Sequence, residues 1–174
     1  MRTEIKIDLN KQGSLENGIK ELEAYKKRVQ EKTMLLVQRL VNYGADIARI
    51  KIVNMGANYT GELLNSVAGY FDATSNRGFV KVTNDHVAFV EFGTGVKGQN
   101  SPHKNGEYLS KAAWSYASGA KIFTTQDGRV GWIYPTDDGG FRFTEGMPSR
   151  PFMYETALEL QRDLQKIAQE VFST

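Results

Sequence analysis

The chain has 174 residues, 22 Lys and Arg against 20 Asp and Glu, and no cysteine. This length allows one domain with a core that needs no disulfide or structural metal, and the lack of Cys excludes thiolate catalysis and Cys-based zinc sites. A net charge of +2 indicates neither a nucleic-acid-binding protein nor a polybasic membrane anchor. With no signal-peptide core and no run near the roughly 20 apolar residues of a membrane span, the sequence predicts a soluble protein made in the cytoplasm.

The N-terminal part predicts a strand followed by a long helix. Ile5, Ile7 and Leu9 alternate with charged residues, which is the period of a half-buried strand. From Leu15 to about Asn54 the apolar residues recur at helical spacing, which predicts one long helix, or two with a break near Gly44. The apolar positions of this helix are Leu15, Ile19, Leu22, Val29, Leu36, Leu40, Tyr43, Ile47 and Ile50.

A short helix and a hairpin are predicted next. Thr60 is placed to cap a short helix that carries Leu63, Leu64 and Val67, because threonine side chains accept from the first N–H groups of a helix. Two apolar runs, Phe79–Thr83 and Val87–Phe92, flank the turn residues Asn84 and Asp85 and predict a hairpin.

The C-terminal half combines irregular chain with a second hairpin and a helix. Residues 93–131 form the least regular part, with a helical turn or two before Gly119 in "EYLSKAAWSYASGAKIF". The runs "GWIY" and "FRFT" around "PTDDGG" predict the second hairpin. Ser149 is expected to cap an amphipathic C-terminal helix that has Pro151 in its first turn. The fold class is therefore α+β: a long N-terminal helix and a C-terminal helix on a small antiparallel sheet, in a single domain over residues 1–174.

A glycine motif raises the question of nucleotide binding. Gly93, Gly95 and Gly98 spell G-x-G-x-x-G after an apolar run. A dinucleotide loop needs a helix directly after the glycines and an acid about 20 residues on. Here "QNSPHKNG" is not expected to begin a helix, and "WSYAS" supplies no acid. The motif is interpreted as a turn, and no nucleotide, cofactor or metal is predicted.

Several polar residues have a structural and a functional interpretation. Glu91 shares a predicted strand face with apolar residues, so its carboxylate needs partners: loop backbone N–H groups or Arg150 of the same chain, or a neighbouring subunit. Asp137, Asp138 and Glu145 resemble a metal cluster, but Asp-Asp-Gly-Gly is typical of a hairpin turn. His103 with Ser101 lacks the acid of a catalytic triad. Trp114 and Trp132 belong to an aromatic-rich region that suits either a core or an interface.

Three stretches resemble a bacteriophage family, the tail-completion or head–tail joining (neck) proteins of long-tailed phages. "VAFVEFGTG" is similar to the family pattern Y-A-x-x-V-E-x-G-T. "TGELLNSV" resembles a T-G-x-L-x-x-S-hydrophobic element, and "MPSRPFMYETA" resembles the P-x-R-P-F segment that opens the C-terminal helix. Between Gly98 and Met147 there is no resemblance. The matched residues are Thr60, Gly61, Leu63, Ser66, Val67, Ala88, Val90, Glu91, Gly93, Thr94, Pro148, Arg150, Pro151, Phe152, Met153 and Ala157.

The resemblance implies a structural virion protein rather than an enzyme. Such a protein would act at the neck as a ring of identical subunits with neighbouring neck and tail proteins as partners, first in the host cytoplasm and then in the virion. DNA would pass through the ring without specific recognition, and no membrane is involved. Phe92 and Phe152 are expected in the core, whereas the Gly93–Thr94–Gly95 turn and residues 100–147 are expected to contact neighbours. The alternatives are a tail terminator, a minor capsid protein or a small metal-dependent enzyme.

Overall fold

A computed structural model describes residues 4–8, 10–58, 60–116, 121–136 and 138–173. A long first helix, a C-terminal helix and two small sheets confirm the α+β class. The helices are α1 Ser14–Asn54, α2 Glu62–Asn65, α3 Val87–Phe92, α4 Gly95–Asn100, α5 Gly106–Lys111 and α6 Phe152–Ser173. The strands are β1 Val67–Asp72, β2 Arg77–Val82, β3 Phe123–Thr124, β4 Val130–Pro135, β5 Phe141–Thr144 and β6 Gly146–Met147.

Contacts divide the described chain into two compact units. Unit one comprises the described residues of Met1–Asp46, Gly69–Val80 and Leu158–Thr174, and unit two comprises those of Ile47–Ala68 and Lys81–Ala157. The helices α1 and α6 therefore contribute residues to both units. The single domain expected from the sequence stays a prediction.

In unit one, α1 runs without a break near Gly44, which confirms the first of the two predicted alternatives, one long helix. A Cβ at Gly44 would stand 2.9 Å from Leu160 and 3.0 Å from Val80, so this glycine permits close packing and does not end the helix. Val41 is similarly close to the glycines of β1 and β2: a Cβ at Gly78 would lie 2.3 Å from its Cγ2. Small residues thus let the strands lie directly on α1.

The predicted N-terminal strand is wrong for the described residues. Residues 4–8 have no regular secondary structure, and Leu9 lies outside the described residues. The side chains of Ile5 and Ile7 instead lie over Gly18 of α1, with a Cβ at Gly18 placed 3.0 Å from Ile7 Cγ1. The alternation therefore marks two apolar side chains that cover a helix, since no strand pairs with this segment.

The first predicted hairpin is also wrong. Strand β2 pairs with β1, and Val87–Phe92 forms the helix α3. The reason is local: Asn84 Oδ1 accepts from the His86 N–H at 2.9 Å, and the Asn84 carbonyl accepts from the Val87 N–H at 3.1 Å. Both bonds curl the chain into a helical turn after β2.

The second hairpin is confirmed. Strands β4 and β5 are antiparallel, with Trp132 opposite Thr144 and Pro135 opposite Phe141, and β3 adds a third strand beside β4. In the preceding region α5 lies where a helical turn or two was expected, but α4 makes this region more regular than expected. In particular, α4 includes Gln99 and Asn100, which were expected in a loop.

The C-terminal helix is confirmed, but two predicted caps are wrong. Helix α6 starts at Phe152, and the Pro151 carbonyl accepts the first helical bond, from the Glu155 N–H at 2.9 Å. Ser149 lies too early to cap it. At α2 the residue before the helix is Gly61, with φ 83° and no side-chain cap, and Thr60, one residue earlier, accepts only a long hydrogen bond of 3.4 Å from the Glu62 N–H. Val67, which was expected on this helix, begins β1. Along α6, Phe152 and Val171 are buried and Leu160 and Ile167 half-buried, whereas Ala157 and Leu164 are exposed.

Candidate interaction site

The carboxylate of Glu91 caps α6 from a different helix. Glu91 Oε2 accepts from the Met153 N–H at 2.9 Å, and Oε1 accepts from the Tyr154 N–H at 3.0 Å. These are the N–H groups that a capping side chain normally serves, and Pro151, at the capping position, has no acceptor in its side chain. The expected pairing of Glu91 with backbone N–H groups is therefore present, although the donors belong to a helix and not to a loop.

Arg150 contributes its main chain to the same contact. Its N–H donates to the Val90 carbonyl at 2.8 Å, and the Ser149 hydroxyl donates to the Glu91 carbonyl at 2.6 Å. The segment before α6 is thus bonded to the last turn of α3. The side-chain pair of Glu91 is His103 instead of Arg150.

His103 is a member of the site that the sequence did not indicate. Its side chain is fully buried, with Nε2 at 3.4 Å from Glu91 Oε1. Its Nδ1 lies 3.1 Å from the Asn105 nitrogen and 3.2 Å from the Asn105 carbonyl oxygen, and its Nε2 faces the carboxylate. Burial raises the pKa of the Glu91 carboxyl, against the opposing effect of the Met153 and Tyr154 N–H groups and of His103.

Aromatic rings surround this buried pair. The His103 ring lies 5.3 Å from Phe92 and 5.2 Å from Tyr154, and Trp114 lies 5.2 Å from Phe92. Trp114 Nε1 also donates to the Gly93 carbonyl at 3.0 Å. Trp114 is therefore part of the packing within the subunit, which agrees with the first of its two interpretations, a core residue. No spacing in the sequence indicates that these rings come together.

The glycine turn is buried against the segment before α6. Gly93 has φ 80° and ψ 167°, and a Cβ there would stand 2.7 Å from the Ser149 nitrogen. Thr94 and Gly95 form antiparallel bridges to Met147 and Gly146. The expectation of a free loop facing neighbouring subunits is therefore wrong for Gly93, Thr94 and Gly95, which are all buried.

The glycine motif does lead into a helix, contrary to the expectation from sequence. Helix α4 begins at Gly95, within the motif. The Gly95 N–H donates to the Tyr116 carbonyl at 2.9 Å, and the Lys97 N–H donates to the Glu145 carbonyl at 3.2 Å. Protein carbonyls thus occupy two N–H groups that a dinucleotide loop would direct at a pyrophosphate.

Trp132 lines a cleft of about 450 Å³ next to the glycine turn. The cleft lies between Trp132, Trp114 and the first residues of α4, and the buried hydroxyl of Tyr116 beside it has no hydrogen-bond partner among the described residues. A partner that contacts this surface would meet mainly aromatic and aliphatic side chains.

Unit one has a smaller cleft of about 340 Å³ between α1 and α6. There the Tyr43 hydroxyl donates to Asp163 Oδ2 at 2.7 Å. Hydrogen bonds from Arg162 and from Tyr43 lower the pKa of Asp163 to about 2. This carboxylate is therefore charged at any physiological pH.

The carboxylates considered as a metal cluster do not form one in the described part of the chain. Asp138 accepts from the Thr136 hydroxyl and from the Gly140 N–H, which is the turn that Asp-Asp-Gly-Gly predicts. Asp137 lies outside the described residues. Across residues 4–8, 10–58, 60–116, 121–136 and 138–173, no group of three potential metal-ligating side chains occurs.

The structure joins two of the three stretches that carry the family resemblance. Glu91 to Thr94 contact Met147 to Tyr154 through the cap, the bridges and the main-chain bonds described above. The remaining stretch, with Thr60, Gly61 and Leu63, leads into and forms α2, where Leu63 is buried and Thr60 is exposed.

Comparison of the chain with protein-family models, with curated proteins and with solved structures gave no match. None of the helices in the described ranges combines the length and the hydropathy needed to cross a membrane.

Proposed function

We propose that this chain is a structural protein of a bacteriophage or prophage particle, acting in tail completion and head–tail joining at the neck. The proposal starts from the three stretches that resemble that family. It includes a ring of identical subunits and neighbouring neck and tail proteins as partners. The protein would assemble in the host cytoplasm and end in the virion, and it would have no catalytic residue.

The observation that carries the proposal is the Glu91 cap on α6. Two of the matched stretches lie about 60 residues apart in the chain, yet the Glu91 carboxylate accepts from Met153 and Tyr154 at 2.9 and 3.0 Å. Residues that recur together in a family often do so because they form one contact. The cap gives a physical reason for Glu91, Arg150, Pro151 and Phe152 to occur together in one sequence, which supports reading the stretches as one pattern.

Electron microscopy of particles from a phage that lacks this gene tests the proposal. Filled heads and tails that accumulate separately, or tails with abnormal ends, are expected. Plasmid-borne wild-type protein should restore joined particles, which is the control for effects on neighbouring genes. Normal infectious particles would contradict the neck role, and empty or misassembled heads would favour the minor capsid alternative.

A further inference from the structure

The three-stranded sheet exposes an apolar face. Ile133 stands opposite Phe143, and Phe141 opposite Pro135, so their side chains share one face of the sheet. Phe141 is 74% exposed and Ile133 49% exposed, which is unusual for large apolar side chains on adjacent strands. The members of this face, named here the sheet face, are Phe123, Gly131, Ile133, Pro135, Phe141 and Phe143.

An arginine paired with an aspartate lies beside the sheet face. The guanidinium of Arg129 lies over the Phe143 ring, 5.1 Å from its centre. Its Nε donates to Asp127 at 2.7 Å, which engages one of the five N–H donors of the guanidinium. An acidic group that approaches the sheet face would therefore meet the remaining N–H donors of an arginine whose charge Asp127 balances.

The first turns of α1 expose a second apolar surface. Leu15, Ile19 and Leu22 are 57%, 49% and 53% exposed. Their spacing of four and three residues aligns them in one stripe along the helix, named here the α1 stripe. The exposed acids Glu16 and Glu23 lie on one flank of it.

We propose that the sheet face of one copy binds the α1 stripe of a second copy. An amphipathic helix buries its apolar stripe well on an apolar sheet face, and the flanking acids of the stripe can accept hydrogen bonds from the N–H donors of Arg129 that Asp127 does not engage. The two surfaces differ, so the contact is heterologous, and repetition generates a ring where the rotation closes. The inference rests on the ring in the proposed function and names the surfaces that build it.

The size of the two surfaces fits a contact that is weak as a single pair and is strengthened in a closed ring. A fully exposed aromatic side chain presents about 200 Å², so a few half-exposed residues offer on the order of 400 Å² per copy. A stable pair of proteins usually buries about 800 Å² per partner. Single contacts should therefore be weak, and ring closure, in which each copy makes two contacts, should strengthen them.

Mixing two blocked variants tests the contact. Ile19→Lys blocks the α1 stripe, and Ile133→Glu blocks the sheet face; both residues are about half exposed, so folding should be retained, which circular dichroism checks. In analytical ultracentrifugation we expect wild type to form larger species with rising concentration and each variant alone to stay monomeric. An equimolar mixture should form 1:1 dimers and nothing larger, because only one intact pair of surfaces is left. Val53→Lys, at a 53% exposed residue farther along α1, is the matched control and should associate as wild type does.

Three results would overturn the proposal. These are wild type that stays monomeric up to about 1 mM, a mixture that forms no dimers, and either blocked variant forming dimers alone. Each is separable from failure of the proposed function. If the wild-type protein stays monomeric but deletion of its gene leaves heads and tails unjoined, the proposed contact is wrong and the neck role stands. If the mixed dimers form but the deletion phage makes normal particles, the neck role is wrong and the proposed contact stands.

Discussion

One side chain, Glu91, performs a task that the residues at the start of α6 cannot. Pro151 occupies the capping position and offers no side-chain acceptor, so two N–H groups of the first helical turn need a partner from elsewhere. Glu91 supplies both oxygens from α3, and His103 and the surrounding rings keep water away. The position of α3 and the start of α6 are therefore fixed by the same carboxylate.

Removal of the cap should destabilise the fold markedly. Glu91→Ala leaves the N–H groups of Met153 and Tyr154 without their acceptor in a half-buried site, and we expect the free energy of unfolding to fall by about 2 kcal/mol or more. Urea denaturation measures this. Glu107→Ala, which removes an exposed carboxylate paired with Lys111, is the control and should stay close to wild type. Equal losses in the two variants would contradict the capping role.

The contribution of Glu91 to stability should change with pH in the direction expected for a buried acid. Burial raises the pKa of the Glu91 carboxyl in the folded state above its usual 4.5, so the folded chain holds this proton more tightly than the unfolded chain. The contribution of Glu91 to stability is then greatest below 4.5 and falls as the pH rises through the folded-state pKa.

A comparison of wild type with Glu91→Gln isolates this effect. Several other acids, such as Asp127 and Asp163, have lowered pKa values and act in the opposite direction, but they titrate equally in both proteins. Urea denaturation between pH 4 and pH 8 should show wild type losing stability relative to Glu91→Gln as the pH rises. A difference that stays constant over this range would mean that the pKa of Glu91 is not raised.

At the scale of elements, periodicity predicted the long segments and failed for the short ones. Helices α1 and α6 and the β4–β5 hairpin follow from spacing and turn residues, since each is long enough to show its period or has a diagnostic turn. "VAFVEF" is six residues of near-continuous apolar sequence, which suits a strand or a helix alike. Its outcome depends on the local turn at Asn84, whose bonds start a helix, and on the partner of Glu91 in α6, which is a tertiary contact.

The candidate site was predictable in its chemistry but not in its partners. A carboxylate within an apolar run must be paired when it is buried, and that requirement led to Glu91 from the sequence alone. His103, Tyr108 and Tyr154 come together only because the chain returns to α3 twice, and no local pattern encodes that return. The glycine turn was similarly identified, but its burial against Ser149 depends on the same packing.

Two glycine variants distinguish the effect of a steric clash with neighbouring atoms from the effect of an unusual backbone conformation. Gly93 and Gly139 have φ of 80° and 79°, but a Cβ meets the Ser149 nitrogen at 2.7 Å in the first case and nothing within 4 Å in the second. Gly139→Ala should cost about 1 kcal/mol through backbone strain alone. Gly93→Ala adds a collision with main chain to a φ,ψ region that only glycine populates, and we expect a loss of about 3 kcal/mol or more. Thermal and urea unfolding measure both, and similar losses would contradict the close contact of the turn with the segment before α6.

At the scale of the whole molecule, burial is distributed unevenly along α1. Between Leu15 and Glu31 only Gly18 is buried, whereas Val41, Ala45, Ile47, Ala48 and Ile52 are buried farther along the same helix. The stability of a helix in a protein comes mainly from packing of its apolar face. The first turns of α1 therefore depend on what covers the α1 stripe, and the later turns do not.

Hydrogen exchange read by mass spectrometry should show this division directly. At low protein concentration, peptides from residues 15–31 should exchange faster than peptides from residues 41–52, because local opening of the first turns exposes little apolar surface. At high concentration, residues 15–22 and 123–143 should gain protection together, since the proposed contact covers both, while residues 41–52 stay unchanged. Ile133→Glu should remove the gain at both segments, which ties the slower exchange of the helix to the sheet face of another copy. Protection that is uniform along α1 at every concentration would contradict the uneven packing of α1, and a gain at only one of the two segments would contradict their contact.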